Sequence, residues 1–176
     1  MSLHIGLGFS QDLNAQQAAT DAALQARAGL GSQNIDLAII LSTIHYDPEI
    51  ILSTLHNTIN CAKVIGCSTA GIILSNAIQT RGIAILTMVS DDIHFGIGTI
   101  ENLDTSNLQD AGKELAKNIL DNFGQHSRQV FLSLIDGQIA DYSSLLKGLQ
   151  EVFGNIFPII GAGSSDDFRL EKTFLW

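Results

Sequence analysis

Two short stretches hold the residues whose types and spacing could do chemistry: Gly66-Cys67-Ser68-Thr69-Ala70-Gly71 and Gly161-Ala162-Gly163-Ser164-Ser165-Asp166-Asp167. Each follows an apolar segment and reads as a small, glycine-rich turn at a strand end. Such a turn exposes main-chain N–H groups because its side chains are short, and the hydroxyls beside them suit a carboxylate or similar anion. The same composition also serves a tight turn packed closely on a neighbouring helix. Asp166 and Asp167 would hold a ligand amine or a hard cation, or simply cap a solvated turn. Calcium requires six or more oxygens, so two acids alone do not predict a metal site.

Cys67 invites a second chemistry. A nucleophilic thiolate needs a lowered pKa and a base within reach, and His45 ends the preceding apolar segment. Against this stands Ala162, which takes the corresponding place in the second stretch, and the use of cysteine as a small buried residue. Cys61 reads as packing. His4 and His94 fall in equivalent segments, where they could pair to bind a metal or ligand, or hydrogen-bond the backbone at a strand end. His45-Tyr46-Asp47 and Asp136-Gly137-Gln138 occupy matching post-strand loops, the usual lining of a ligand crevice in open α/β sheets.

The elements that must position these residues recur. Leu3-His4-Ile5-Gly6-Leu7-Gly8 is nearly repeated as Ile93-His94-Phe95-Gly96-Ile97-Gly98, an offset of 94 − 4 = 90 residues. Residues 3–9 alternate as a strand. Ala15, Ala18, Ala19, Ala22, Ala23 and Ala26 form a small-residue helical face that Gly29 or Gly31 ends. Leu37–Leu41 reads as a strand buried on both faces. Asp47-Pro48-Glu49 starts a helix with Ile51, Leu52, Leu55 and Ile59 inward. A short strand at 63–65 leads to the first turn, and 72–78 with 83–89 read as a hairpin about Gln79-Thr80-Arg81-Gly82. The second copy places a helix over Leu108, Ala111, Leu115, Ile119 and Phe123, a strand at 130–135, and a helix capped by Asp141. Leu145, Leu146, Leu149, Val152 and Phe153 form the stripe of that helix. The expected fold is α/β, a mixed β-sheet with packed helices in two pseudo-repeats of β-α-β-α-β, about 1–90 and 91–176.

With 176 residues and 15% of them charged, the chain suits a single globular domain. Nine Lys and Arg against eighteen Asp and Glu give a net charge of −9. The cations are scattered, which argues against binding to nucleic acid or an anionic membrane. No apolar run approaches the roughly 18 residues of a membrane helix, no secretory signal is visible, and two cysteines make neither a disulfide framework nor a metal spacing. A reduced, cytoplasmic setting without a cofactor is expected. Thr173-Phe174-Leu175-Trp176 begins another apolar strand, so a chain truncated at its C-terminus is also expected.

The segment Asp36–Leu41 with Tyr46-Asp47-Pro48, followed by Val64-Ile65 and the Gly66–Gly71 block, resembles the N-terminal half of the FIST domain (F-box and intracellular signal transduction). Asp136-Gly137, Pro158–Asp167 and Thr173-Phe174 fit the same family. Ile72 stands where the family commonly has Glu, and Ala162 where it commonly has Gly. The resemblance implies a cytoplasmic sensory module for small ligands such as amino acids, often fused to or encoded beside histidine kinases, cyclic-di-GMP enzymes or chemotaxis receptors. It implies a missing C-terminal FIST half and a downstream signalling protein as partners. The function expected is non-catalytic binding of a small polar metabolite by the Gly66–Gly71 and Gly161–Asp167 stretches, with Asp136, Asp166 or Asp167 balancing an amine. A Cys67–His45 enzyme and an interaction scaffold are the alternatives.

Overall fold

The computed structural model describes residues 2–30, 34–101, 103, 105–139 and 141–176. It contains β1 (Leu3–Ser10), α1 (Ala15–Ala28), β2 (Leu37–Thr43), α2 (Pro48–Thr58), β3 (Val64–Thr69), β4 (Ile72–Ile73), β5 (Ile78–Gln79) and β6 (Ile83–Ser90). There follow α3 (Leu108–Phe123), β7 (Phe131–Ile135), α4 (Tyr142–Phe153) and β8 (Ile159–Gly163). The fold is α/β with a mixed sheet and packed helices, as expected. The chain forms two compact units, Met1–Ile93 with Gly163–Trp176, and His94–Ala162.

In the first unit four strands run in the order β1-β6-β2-β3. β6 lies antiparallel to both β1 and β2, whereas β2 and β3 are parallel, joined by α2. The alanine face of α1 is fully buried at Ala18, Ala19, Ala22, Ala23 and Ala26. It meets Ala38 and Ile40 of β2, Ile83, Ile85 and Val89 of β6, and Ile51 and Leu55 of α2 in one core. Small residues on both sides let the backbones close: a Cβ added to Gly6 or Gly8 would overlap the carbonyl oxygen of Ala26 or Ala22. Thr87 Oγ1, wholly buried, donates to the Ala26 carbonyl at 2.9 Å and ties the end of α1 to β6. The helix ends at Gly29, while Gly31 lies outside the described residues. Asp47 caps α2 by accepting from the Glu49 and Ile50 amides, with Pro48 in the first turn. Thr54 is buried on α2 and Leu52 only half-buried. On β2, Ala38 and Ile40 are buried, but Ile39 and Leu41 on the opposite face are half-buried, so that strand is fully covered on one face alone.

Three expectations are corrected. The hairpin of 72–78 with 83–89 does not form: β4 pairs with β5, and β6 instead enters the main sheet between β1 and β2. A run as apolar as Ile83–Ser90 satisfies more of its backbone and side chains between two strands than in a ribbon. The strand before the first glycine-rich stretch is longer than its apolar letters, since β3 runs through Gly66 to Thr69; likewise β8 runs through Gly161 to Gly163. Finally, Ile93–Gly98 forms no sheet pairing among the described residues, so the second copy lacks the opening strand of the first.

Gly6 and Gly8 lie under alanines of α1, whereas Gly96 and Gly98 face Phe123 and Ile119 of α3. Ala38 N donates to Lys63 O at 2.9 Å, and Phe131 N donates to Pro158 O at 3.0 Å. Gly66 abuts the Ile40 carbonyl, and Gly161 the Ser133 carbonyl. In the second unit α3 and α4 cross at Gly112 and Gly148, where added Cβ atoms would strike the carbonyls of Leu145 and Gln109.

Gly8→Ala is expected to destabilise the protein by about 3 kcal/mol, because the new methyl overpacks a backbone-to-backbone contact. Gly29→Ala, whose Cβ would meet nothing within 4 Å, should leave stability nearly unchanged. Urea midpoints of the two variants check the contrast.

Candidate ligand site

Parallel pairing puts the C-terminal ends of β2 and β3 side by side, with Thr43 opposite Thr69. Thr43 is buried, and three bonds, one of them from its hydroxyl to Gly82 O at 3.4 Å, fix it to the residue before β6. Its amide donates to Gly82 O at 3.0 Å, and its hydroxyl accepts from Gly82 N at 3.1 Å. His45 Nδ1 lies 3.1 Å from the same hydroxyl. Gly71, just beyond β3, lies against Gln79 and Thr80, since a Cβ there would sit 3.0 Å from Gln79 O. One end of the sheet thus collects Thr43, His45, Thr69, Gly71 and the Gln79–Gly82 segment. Gln79 Oε1 also accepts from the Gln11 side chain.

Two polar atoms at this end are buried without a hydrogen-bond partner among the described residues, Thr69 Oγ1 and Arg81 Nε. Leaving a buried donor or acceptor unsatisfied costs about 1–3 kcal/mol, so such atoms mark places where a ligand or water would be accommodated. The Arg81 guanidinium carbon stands 5.2 Å from the centroid of the Tyr46 ring. Tyr46 is itself buried, its hydroxyl donating to Asp12 O at 2.9 Å. Arg81 escaped the sequence reading because it sat inside an expected hairpin turn; its one signal was a cation between two apolar runs in an acidic chain.

The two small-residue stretches do meet in the first unit, though differently from the expectation. Ser165 N donates to Ser68 O at 2.9 Å, and Ser68 and Ser164 are both buried. The C-terminal residues then run along the edge of β3. Gly66 N donates to Trp176 O at 3.2 Å, Trp176 N to Gly66 O at 3.0 Å, and Ser68 N to Phe174 O at 2.9 Å. Phe174 N donates in turn to Ser68 Oγ at 2.9 Å. The amides of Gly66 and Ser68, expected to be bare and turned towards a ligand, are therefore engaged in a seam. The physical reason is that Gly66 lacks a side chain to fit against the Ile40 carbonyl, not to make a turn. Cys67 pairs with Leu41 and is buried; burial pushes its thiol pKa up, opposite to the shift a nucleophile needs. Burial likewise raises the Cys61 thiol.

Asp166 organises the loop that feeds this seam. Its carboxylate accepts from Leu170 N at 3.1 Å, Glu171 N at 2.7 Å and Lys172 N at 3.1 Å. Within that loop Asp167, Phe168 and Leu170 have φ of 60°, 61° and 56°, a left-handed region disfavoured for residues with a Cβ. Desolvation works to raise the Asp166 pKa, but the amides of Glu171, Leu170 and Lys172 outweigh it and hold the group below the usual aspartate value. The buried carboxylate is thus committed to the backbone rather than offered to an amine, while Asp167 is exposed.

Asp136 and Gly161 fall in the second unit, while Gly163 begins the return to the first. Asp136 Oδ1 accepts from Gln138 N at 3.0 Å, and its carbonyl accepts from the Tyr142 hydroxyl at 2.6 Å. Desolvation, then the Asp136 charge, raises the Tyr142 pKa. Gly161 and Gly163 fall on β8, with Gly161 closing on Ser133. His94 stacks on His126, ring centroids 3.8 Å apart. No three His, Cys, Asp or Glu residues gather in a metal-binding cluster among the described residues. A hollow of about 370 Å³ lies over the start of α3, lined in part by Thr99, Glu101, Asn107, Asp110 and Glu114. It includes none of the candidate site residues the sequence singled out.

The FIST N domain model matches residues 36–176, so the chain belongs to the FIST N domain family. The family is one of sensory domains in signal transduction. β1 and α1 precede the matched residues. No curated protein matches the chain. Among the described residues no helix is long and apolar enough to cross a membrane.

Asp166→Asn should lower the melting temperature at neutral pH. Because the folded carboxyl titrates below its unfolded value, its stabilisation is complete above the unfolded pKa of about 3.9 and is lost as pH falls through the lower folded value. Thermal melts from pH 7 to pH 3 should therefore show a constant gap between wild type and variant down to about pH 5, closing below about pH 4.

Proposed function

We propose that this FIST N domain binds a small polar metabolite, an amino acid or similar compound, and signals its presence without transforming it. The observation that carries the reading is the Thr69 hydroxyl, buried and unpartnered at the end of β3. It stands where parallel strands finish, the common place for ligands in α/β sheets. Thr69, Ala70 and Gly71 form the contact surface in this reading, and Gly66, Cys67 and Ser68 support it from the strand. Ser164, Ser165, Asp166 and Asp167 connect the site to the C-terminal seam. Asp136 makes the post-strand feature of the second unit, and Gly161 and Gly163 lie on β8 leading to Ser164.

Signalling follows from what β3 also holds. Ser68 bonds both Ser165 and Phe174, so a ligand that favours one position of the β3 end biases the C-terminal segment as well. A C-terminal FIST half and a cytoplasmic signalling protein are the partners to which that bias would pass. The raised thiol pKa of Cys67 supports binding over thiol chemistry, as does the contact of His45 with Thr43.

A thermal-shift screen of amino acids and small organic acids is expected to find compounds that raise the melting temperature. Thr69→Val should abolish that response while folding normally. A broad panel without a response, or a variant that responds as wild type does, would overturn the reading. Iodoacetamide should label Cys67 at least about tenfold more slowly than free cysteine at pH 7.5; faster labelling would favour the Cys67–His45 enzyme.

A further inference from the structure

We propose that Arg81 is the anion-recognising residue of this site and that the ligand it reads carries a carboxylate. The inference rests on the small-ligand reading for the location of the site, and on Arg81 for the ligand's chemistry.

Arg81 is half-buried, yet its Nε is fully buried and lacks a hydrogen-bond acceptor. No carboxylate among the described residues forms an ion pair with it. Arginine cannot shed its charge to escape such a position. Stacking on Tyr46 accounts for the placement of the guanidinium but supplies no acceptor to Nε, because a ring face accepts from a cation without satisfying an in-plane N–H. An arginine serving only to stack would turn its donors to water, as exposed ones do.

The surroundings hold this side chain in place. Tyr46 is fixed by its bond to Asp12 O, and Gly82 by its three bonds with Thr43. Gly82 has φ 156°, and a Cβ there would run into the Phe9 ring, so the residue after Arg81 tolerates little change. Thr69, whose hydroxyl also has no partner among the described residues, lies one strand further on, across β2. The guanidinium fork by itself suits a planar, two-oxygen anion. The net charge of −9 repels anions at long range, so a cation held at the strand ends is where selectivity for one would have to be built.

The test uses matched probes on the whole chain: acetate, glycine and succinate against acetamide, glycinamide and succinamide, with inorganic phosphate as a tetrahedral anion. Melting temperatures are read together with the Arg81 Nε–Hε resonance in ¹H–¹⁵N spectra, assigned by its loss in Arg81→Lys. At least one carboxylate should raise the melting temperature and move that resonance, with its amide at least about tenfold weaker. Arg81→Gln should lose the preference for acid over amide, and Arg81→Lys should weaken it. Arg81→Lys keeps the charge and is the variant that assigns the resonance, and the acid-against-amide comparison is made on wild type, so it stands even if Arg81→Gln fails to fold. Equal binding of acid and amide, binding of phosphate alone, or undiminished acid binding by Arg81→Gln overturns the proposal. In the last case loss of binding in Thr69→Val would leave the sensory reading standing, whereas silence from every probe would overturn the carboxylate proposal and count against that reading too.

Discussion

Three hydrogen bonds between Thr43 and Gly82 hold one end of the first unit's sheet together. They clamp the last residue of β2 to the residue before β6, across a gap of 39 positions in sequence. With Thr43 fixed, its parallel neighbour Thr69 is fixed on one side and Arg81 on the other. The candidate site is thus a property of three strand ends kept at one level, not of a single loop. Thr43 also satisfies its own hydroxyl in this clamp, which is why Thr69 rather than Thr43 remains with an unmet hydrogen-bonding group.

Close backbone approach is the second theme of the architecture. Gly6 and Gly8 admit α1 to the sheet, Gly66 and Gly161 admit neighbouring carbonyls, and Gly112 and Gly148 admit one helix to another. In each case a methyl group would occupy space already filled by main chain. Gly66 and Gly161, which read as parts of turns, are therefore among the most tightly packed glycines of the described residues. The C-terminal seam depends on the same economy of volume, since Gly66 carries the paired bonds to Trp176 on a strand that cannot bear a side chain there.

Local signals read truly where the cause was local. The alanine face of α1, the Asp47-Pro48 start of α2 and the Asp141 cap of α4 each depend on residues within one or two turns. The glycine-rich stretches were harder, because glycine serves a turn and a tight strand crossing equally well, and only the Ile40 and Ser133 carbonyls distinguish them. The hairpin expected at 72–89 failed for a related reason: alternation and turn residues show that strands exist, not which edge each will join. The opening segment of the second copy matched the first in its letters but met Phe123 and Ile119 instead of alanines, and it formed no pairing among the described residues.

The amino-acid order alone established the α/β class, most helix limits and the FIST resemblance. These rest on periodicity, caps and short motifs, all interactions of near neighbours along the chain. Tertiary structure alone decided that β6 lies inside the sheet, that the amides of Gly66 and Ser68 serve the chain's own C-terminal residues, and that Arg81 stands at the strand ends with a donor to spare. Those outcomes depend on which groups find partners across tens of residues, and hydrogen-bond satisfaction at such separations has no signature in local sequence.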